Sequence, residues 1–132
     1  MKVTRTLHHS FNVEGLLAPT VEFYRRLLEL PDDVRPVIPG IDGHWFGAGN
    51  AQLHLVDADP GTDPIRPAGP HVCFAVDDLD GAIAELEEAG IPVVRGAQGP
   101  TIQIWFVDPA GNTVEIQQDP DVVLPTERVT AP

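Results

Sequence analysis

An α+β fold built from two βαβββ modules is predicted for this 132-residue chain by three observations. The first is an internal echo: Leu7-His8-His9-Ser10-Phe11-Asn12-Val13-Glu14 lies position for position on Pro70-His71-Val72-Cys73-Phe74-Ala75-Val76-Asp77. The second closes each copy, because Gly49-Asn50-Ala51-Gln52-Leu53-His54-Leu55 returns as Gly111-Asn112-Thr113-Val114-Glu115-Ile116 with one residue fewer. His8 and His54 are 46 residues apart, His71 and Glu115 44. The third is that one helical period stands between short alternating segments in each half. Together they describe a single duplication rather than a repeat array.

The elements follow in order. Residues 4–13 alternate with period two and form a strand. A helix is expected from about Pro19 or Thr20 to Leu30, with proline tolerated in the first turn, where its missing N–H has no partner to lose. Its predicted inward stripe is Phe23, Leu27 and Leu30, widened by Leu28, with Tyr24 at the core rim. Residues 34–38 read as a short, proline-limited strand, followed by a glycine turn, His44-Trp45-Phe46 and a strand over 52–56. The polar stretch 57–69 connects the halves. In the second half, strand 71–76 puts Val72, Phe74 and Val76 on one face and His71, Cys73 and Ala75 on the other. Asp77 and Asp78 then cap a helix over 79–89, stopped by Gly90. Strands at 91–95, 102–107 and 113–117 complete the repeat, the last two joined by an Asp108–Asn112 turn. Residues 1–119 thus read as one domain, with module one at 4–57, a linker at 58–69 and module two at 70–118. A tail at 120–132 carries the apolar Val122-Val123-Leu124. Two sheets, each backed by a helix, would bring the histidine faces together only by packing face to face.

Composition excludes several classes. A formal charge of −12, from 20 acidic and 8 basic residues, repels nucleic acid and anionic membrane surfaces. No apolar run approaches the ~20 residues of a membrane span, and the single cysteine gives no sign of an oxidising compartment. A cytoplasmic homodimer with a small-molecule substrate is the expectation these facts leave.

At this point the residues resemble the vicinal oxygen chelate superfamily, the glyoxalase, bleomycin-resistance and dioxygenase fold. The resemblance rests on His8, on Phe23-Tyr24-Arg25-Arg26-Leu27-Leu28-Glu29-Leu30, on the stretch from Pro70 to Asp80, and on Phe106-Val107-Asp108-Pro109-Ala110-Gly111-Asn112-Thr113-Val114-Glu115-Ile116. Glu29 stands where the family usually has glycine. The resemblance implies a half-barrel with a metal site taking one residue from each of four strands: His8, His54, His71 and Glu115. Histidine at 54 departs from the glutamate more usual in bacterial glyoxalases. Three imidazoles and one carboxylate suit Zn²⁺, Ni²⁺, Fe²⁺, Co²⁺ or Mn²⁺ and disfavour Ca²⁺. Glu115, the one carboxylate implied at the ion, is the candidate catalytic base. Trp45, Cys73, Gln103 and Trp105 are candidate substrate-pocket residues. His9 should face away from His8, and His44 reads as a solvated turn residue.

Three functions follow from the resemblance. The first is a metal-dependent lyase or isomerase of the glyoxalase class, acting on a small substrate that chelates the metal through adjacent oxygens. The second is an iron(II) dioxygenase, and the third is a metal-free drug-binding resistance protein. Metal content separates the third from the others, and dioxygen consumption separates the second from the first.

Overall fold

The computed structural model describes residues 1–123; the predicted tail, from residue 124 on, lies outside them. The chain order is β1 (Val3–Asn12), α1 (Leu17–Glu22), a π-helical turn (Phe23–Leu27), β2 (Asp32–Asp33), β3 (Asp42–Ala48), β4 (Ala51–Asp57), β5 (His71–Val76), α2 (Leu79–Glu88), β6 (Val94–Gln98), β7 (Thr101–Val107) and β8 (Thr113–Gln118). This is βαβββ twice. No described helix is long and apolar enough to cross a membrane.

The halves do not pack face to face as two sheets. They join edge to edge in one eight-stranded sheet of order β2-β3-β4-β1-β5-β8-β7-β6. The seam is an antiparallel β1–β5 pairing in which His8 stands opposite Cys73 and Ser10 opposite His71. This reciprocity is what a duplication meeting itself across a local twofold produces. The flanking registers agree as well: Ser10 pairs with His54 in the parallel β1–β4 ladder, and its repeat partner Cys73 pairs with Glu115 in β5–β8. Four central strands therefore carry the four ligand-type residues within two residue steps of the seam.

Each helix covers the outer face of its own half. In the second, Asp78 accepts from the Gly81 N–H, Gly90 ends the helix at φ +70°, and Leu79, Ala82 and Leu86 bury themselves against Val76, Ile104 and Ile116. Burying such a side chain is worth about 1.5–3 kcal/mol. The carbonyl of Leu86 takes the Ile91 N–H, which ties Ile91 to the helix end, and the strand expected at 91–95 begins instead at Val94.

In the first half the predicted stripe holds at Leu30, with Tyr24 at the core rim, and fails at its other three positions. Phe23, Leu27 and Leu28 are exposed at 51%, 70% and 50%, while Leu17, Val21, Tyr24 and Leu30 pack on Phe46, Leu53 and Leu55. The helix starts earlier than its proline suggests, and the π-helical turn, wider than 3.6 residues, rotates the face that follows. Glu29 then takes φ +55° and the Leu30 N–H returns to the Tyr24 carbonyl. The strand expected at 34–38 is also missing. Only Asp32 and Asp33 pair, with Phe46 and Trp45, because Pro36 and Pro39 remove ladder donors. Val34 and Val37 are left 84% and 92% exposed, and Arg35, Val37 and Ile38 line the cleft described below.

Candidate metal site

The concave face of the sheet forms a cleft of about 940 Å³. His8, His54, His71 and Glu115 all line it, as do Trp45, Gln103 and Trp105. Cys73, expected among the pocket residues, is not a lining residue: it is fully buried, on the middle strand between His8 and Glu115, and forms the floor. Its sulfur and ligand atoms of His8 and Glu115 all lie within 4.8 Å of one another. Burial first, then the charge of Glu115, pushes the thiol well above its ordinary range. His9 is exposed, as alternation requires. His44 lies in β3 outside the cleft, bonded to Asp32 at 2.7 Å, rather than in a turn.

Three of the four ligand-type residues converge. His71 Nε2 is 3.0 Å from Glu115 Oε1, His8 Nε2 is 3.2 Å from the same oxygen, and the two nitrogens are 3.3 Å apart. An ion held at about 2.1 Å by three donors at octahedral or tetrahedral angles sets them roughly 3.0–3.4 Å apart, the size of this triangle. The donor chemistry fits too. His71 Nδ1 lies 2.7 Å from the Gly69 carbonyl, which can only accept, so Nδ1 carries the hydrogen. In the neutral ring Nε2 is then a bare lone pair, facing a carboxylate oxygen and a second imidazole nitrogen. The cluster is then held either by a hydrogen on His8 Nε2, donated to Glu115 Oε1, or by a metal ion among the three atoms. A backbone carbonyl that fixes the tautomer is also what metal-ligating histidines ordinarily have.

The linker sets that carbonyl in place. Asn12 Nδ2 donates to the carbonyls of Ala58 and Ala68 at 2.9 and 2.8 Å, clamping the two ends of the connection. Gly69 is thereby delivered to His71.

Glu115 is 1% exposed. Burial alone would raise its pKa, but the imidazoles of His71 and then His8 at Oε1, together with the Gln117 amide at Oε2, outweigh burial and hold the carboxyl well below its usual range. Gln117 Nε2 donates to Oε2 at 2.6 Å and Gln103 Nε2 at 3.4 Å. One carboxylate oxygen thus faces the histidines and the other is held from behind.

His54 is brought alongside rather than into the triangle. Its ring stacks between His8 at 3.9 Å and Trp45 at 3.8 Å, and its Nε2 lies 2.9 Å from Gln52 Oε1. Because the Gln52 amide nitrogen donates to Asp33 at 2.8 Å, the oxygen is what His54 meets, so Nε2 donates and Nδ1 keeps the lone pair. Burial, and next the charge of His8, lowers the His54 pKa to about 2. The ring is neutral in any ordinary buffer.

Gln52, Gln117 and Arg35 escaped the reading of the sequence. The two glutamines sit two residues from His54 and Glu115, so period two alone places them on the same face. Arg35 gave no such signal, because its segment was read as a strand.

Comparison with known proteins agrees with this architecture. A family model, the Glyoxalase/Bleomycin resistance protein/Dioxygenase superfamily, matches residues 6–116. Virulence protein STM3117 of Salmonella typhimurium is 30% identical over 82 residues, 55% of this chain and 57% of that protein; the match therefore spans little more than half of this relative. Among solved structures, hypothetical protein BH1468 from Bacillus halodurans superposes with TM-score 0.67 at 18% identity, covering 92% of this chain and 98% of that one. A superfamily member from Vibrio splendidus superposes with TM-score 0.62 at 13% identity, covering 87% and 98%. At these identities the likeness is one of fold.

Proposed function

The chain belongs to the glyoxalase/bleomycin resistance protein/dioxygenase superfamily, and from that membership we propose that it is a metal-dependent enzyme of the glyoxalase class, a lyase or isomerase acting on a small molecule through two adjacent oxygens. The observation that carries this reading is the triangle of His8 Nε2, His71 Nε2 and Glu115 Oε1, with edges of 3.0–3.3 Å and no donor hydrogen fixed within it. His8, His71 and Glu115 would hold a divalent transition ion such as Zn²⁺, Ni²⁺, Fe²⁺, Co²⁺ or Mn²⁺. When bound, the ion supplies Lewis acidity, polarising substrate oxygens. The chain's own residues do the rest. Gly69 and Gln117 orient His71 and Glu115. Glu115, ionised across the working range, is the group to accept a proton from carbon, and His54 adds a neutral imidazole with its lone pair on Nδ1. Trp45 and Trp105 give the cleft apolar walls that exclude water. A homodimer is part of the proposal, with the exposed Phe23, Leu27 and Leu28 as the apolar surface to be covered.

A second reading is favoured by one specific feature. Two histidines and a carboxylate converge while His54 is turned to Gln52, and that donor set suits iron(II) oxygenases. The test loads the protein with each metal in turn and follows two signals: conversion of methylglyoxal–thiol hemithioacetals to thioesters, and dioxygen uptake with iron(II) and catechols. Thioester formation that is lost in Glu115→Gln supports the first reading. Oxygen uptake without it transfers the assignment to the second.

A further inference from the structure

Three donor-bearing side chains that line the cleft, those of Arg5, Arg35 and Trp105, leave N–H groups unused. Among the described residues, four buried side-chain polar atoms lack a partner: Arg5 Nε, Arg35 Nε, Trp105 Nε1 and Asn12 Oδ1. All three donors belong to residues that line the cleft, and the acceptor does not. These nitrogens are themselves buried, so in the two arginines it is the Nη groups, not Nε, that a ligand in the cleft can meet.

The two guanidinium groups differ. Arg5 is already matched, its Nη2 lying 3.3 Å from Asp119 and 3.1 Å from Asp121. Arg35 pairs with no carboxylate among the described residues, and its hydrogen bond is from Nη2 to the Ile41 carbonyl at 2.8 Å. In a chain with 20 acidic residues against 8 basic ones, a guanidinium facing a cleft without an acid partner is conspicuous. Asp33, two residues away, also lines the cleft but accepts from Gln52 instead.

Arg35 has a built seat. A Cβ at Gly43 would lie 3.1 Å from Arg35 Nε, 3.2 Å from Nη2 and 2.3 Å from the Leu55 carbonyl, so glycine is what lets the head lie against the β3–β4 ladder. Gly43 is one pleat repeat, about 7 Å, from Trp45 on the same face, and Trp45 stacks on His54. The guanidinium therefore stands at one end of the cleft, with the His8–His71–Glu115 triangle beyond the Trp45–His54 pair.

We propose that Arg35 is a specificity-determining residue that receives a carboxylate at the far end of the substrate, several bonds from the neighbouring oxygens that meet the metal site. The inference rests on the enzyme reading above and deepens it. A planar guanidinium matches a carboxylate through two parallel hydrogen bonds, and one unpaired cation matches one such charge. A phosphate, carrying nearly two, would be poorly served in so acidic a chain.

The test uses zinc-loaded protein and a probe with a metal-chelating head: the monohydroxamic acid of adipic acid, compared with its methyl ester. Binding is read from Trp45 and Trp105 fluorescence and by calorimetry, and zinc content is measured in parallel. The carboxylate probe is expected to bind at least tenfold more tightly than the ester, since a charged hydrogen bond is worth at least that factor. Arg35→Gln, which keeps a donor for the Ile41 carbonyl, should bring the ratio near one without weakening the ester, and Arg35→Lys should keep part of it. Equal affinities in wild type, a ratio that survives Arg35→Gln, or binding of neither probe to zinc-loaded protein overturns the assignment of Arg35 alone. Failure to take up zinc overturns the enzyme reading instead. The same acid–ester pair is then compared on metal-free protein, where a ratio of one overturns the Arg35 assignment as well.

Discussion

Replacing Glu115 by glutamine separates the metal account from a purely structural role for this cluster. In the wild-type site Oε1 faces two imidazole Nε2 atoms at 3.0 and 3.2 Å, and Oε2 accepts from Gln117 at 2.6 Å. Glutamine has the same shape. With its NH₂ toward the histidines it donates to Nε2 of neutral His71, whose own hydrogen is committed to Gly69, and its carbonyl oxygen accepts from Gln117. Every buried polar atom keeps a partner, so the desolvation penalty of about 1–3 kcal/mol for an orphaned group is avoided. Metal-free Glu115→Gln should therefore stay folded, with its gap to wild type widest at neutral pH and closing as the pH falls. Metal affinity behaves oppositely. Changing an outer partner of a metal ligand already costs 10–100-fold, so losing the anionic ligand should cost at least about 100-fold, or about 2.7 kcal/mol.

The pH profile supplies a second readout. The carboxyl of Glu115 is held below its unfolded value, so its contribution is complete above about pH 4.3 and drains away as the pH falls toward the folded value. Thermal melts in chelator from pH 6 to pH 3 should show a shallower acid limb in Glu115→Gln than in wild type. The other depressed carboxylates, Asp32, Asp33, Asp108 and Asp119, act alike in both proteins and cancel. Affinity within threefold of wild type by competition with a chromophoric chelator would refute the reasoning.

Two further substitutions probe the scaffold. Glu29 holds φ +55°, a conformation that costs a side-chain-bearing residue about 1–2 kcal/mol and glycine little; after the extra backbone entropy of glycine, Glu29→Gly should raise stability by about 0.5–1 kcal/mol in a urea melt. Gly96→Ala would place a Cβ 2.7 Å from Trp105 Cζ3. The indole must move, costing about 1–3 kcal/mol and altering tryptophan fluorescence, while zinc stoichiometry stays at the wild-type value.

What could be read in the sequence depended on the duplication. Because His8 repeats as His71 and the two copies pair with each other across β1 and β5, equivalence in sequence became proximity in space, and His54 and Glu115 followed from matching parallel registers. Strand faces obeyed period two, so Val76 and Phe74 went to the helix side and Cys73 to the concave side. Cys73 nevertheless became floor instead of wall, because the ligand side chains on both neighbouring strands cover it. The failures have local causes. A π-helical turn breaks the 3.6-residue period on which the Phe23–Leu27 stripe was based. Pro36 and Pro39 turned an expected strand into the irregular segment that carries Arg35 inward. The orientation of His54 depends on a bond from Gln52 to Asp33, a contact across 19 residues that no local pattern encodes.

The central claim is that His8, His71 and Glu115 jointly hold a divalent ion, and metal content tests it most directly. Protein purified without an affinity tag, then exposed to Zn²⁺, Ni²⁺ and Fe²⁺ and desalted, is measured by mass spectrometry beside His8→Ala, His71→Ala and Glu115→Ala. Close to one ion per chain is expected in wild type and a loss in all three variants, each of them still folded by circular dichroism. A wild-type protein that remains empty after exposure, or variants that keep their full complement, would contradict it.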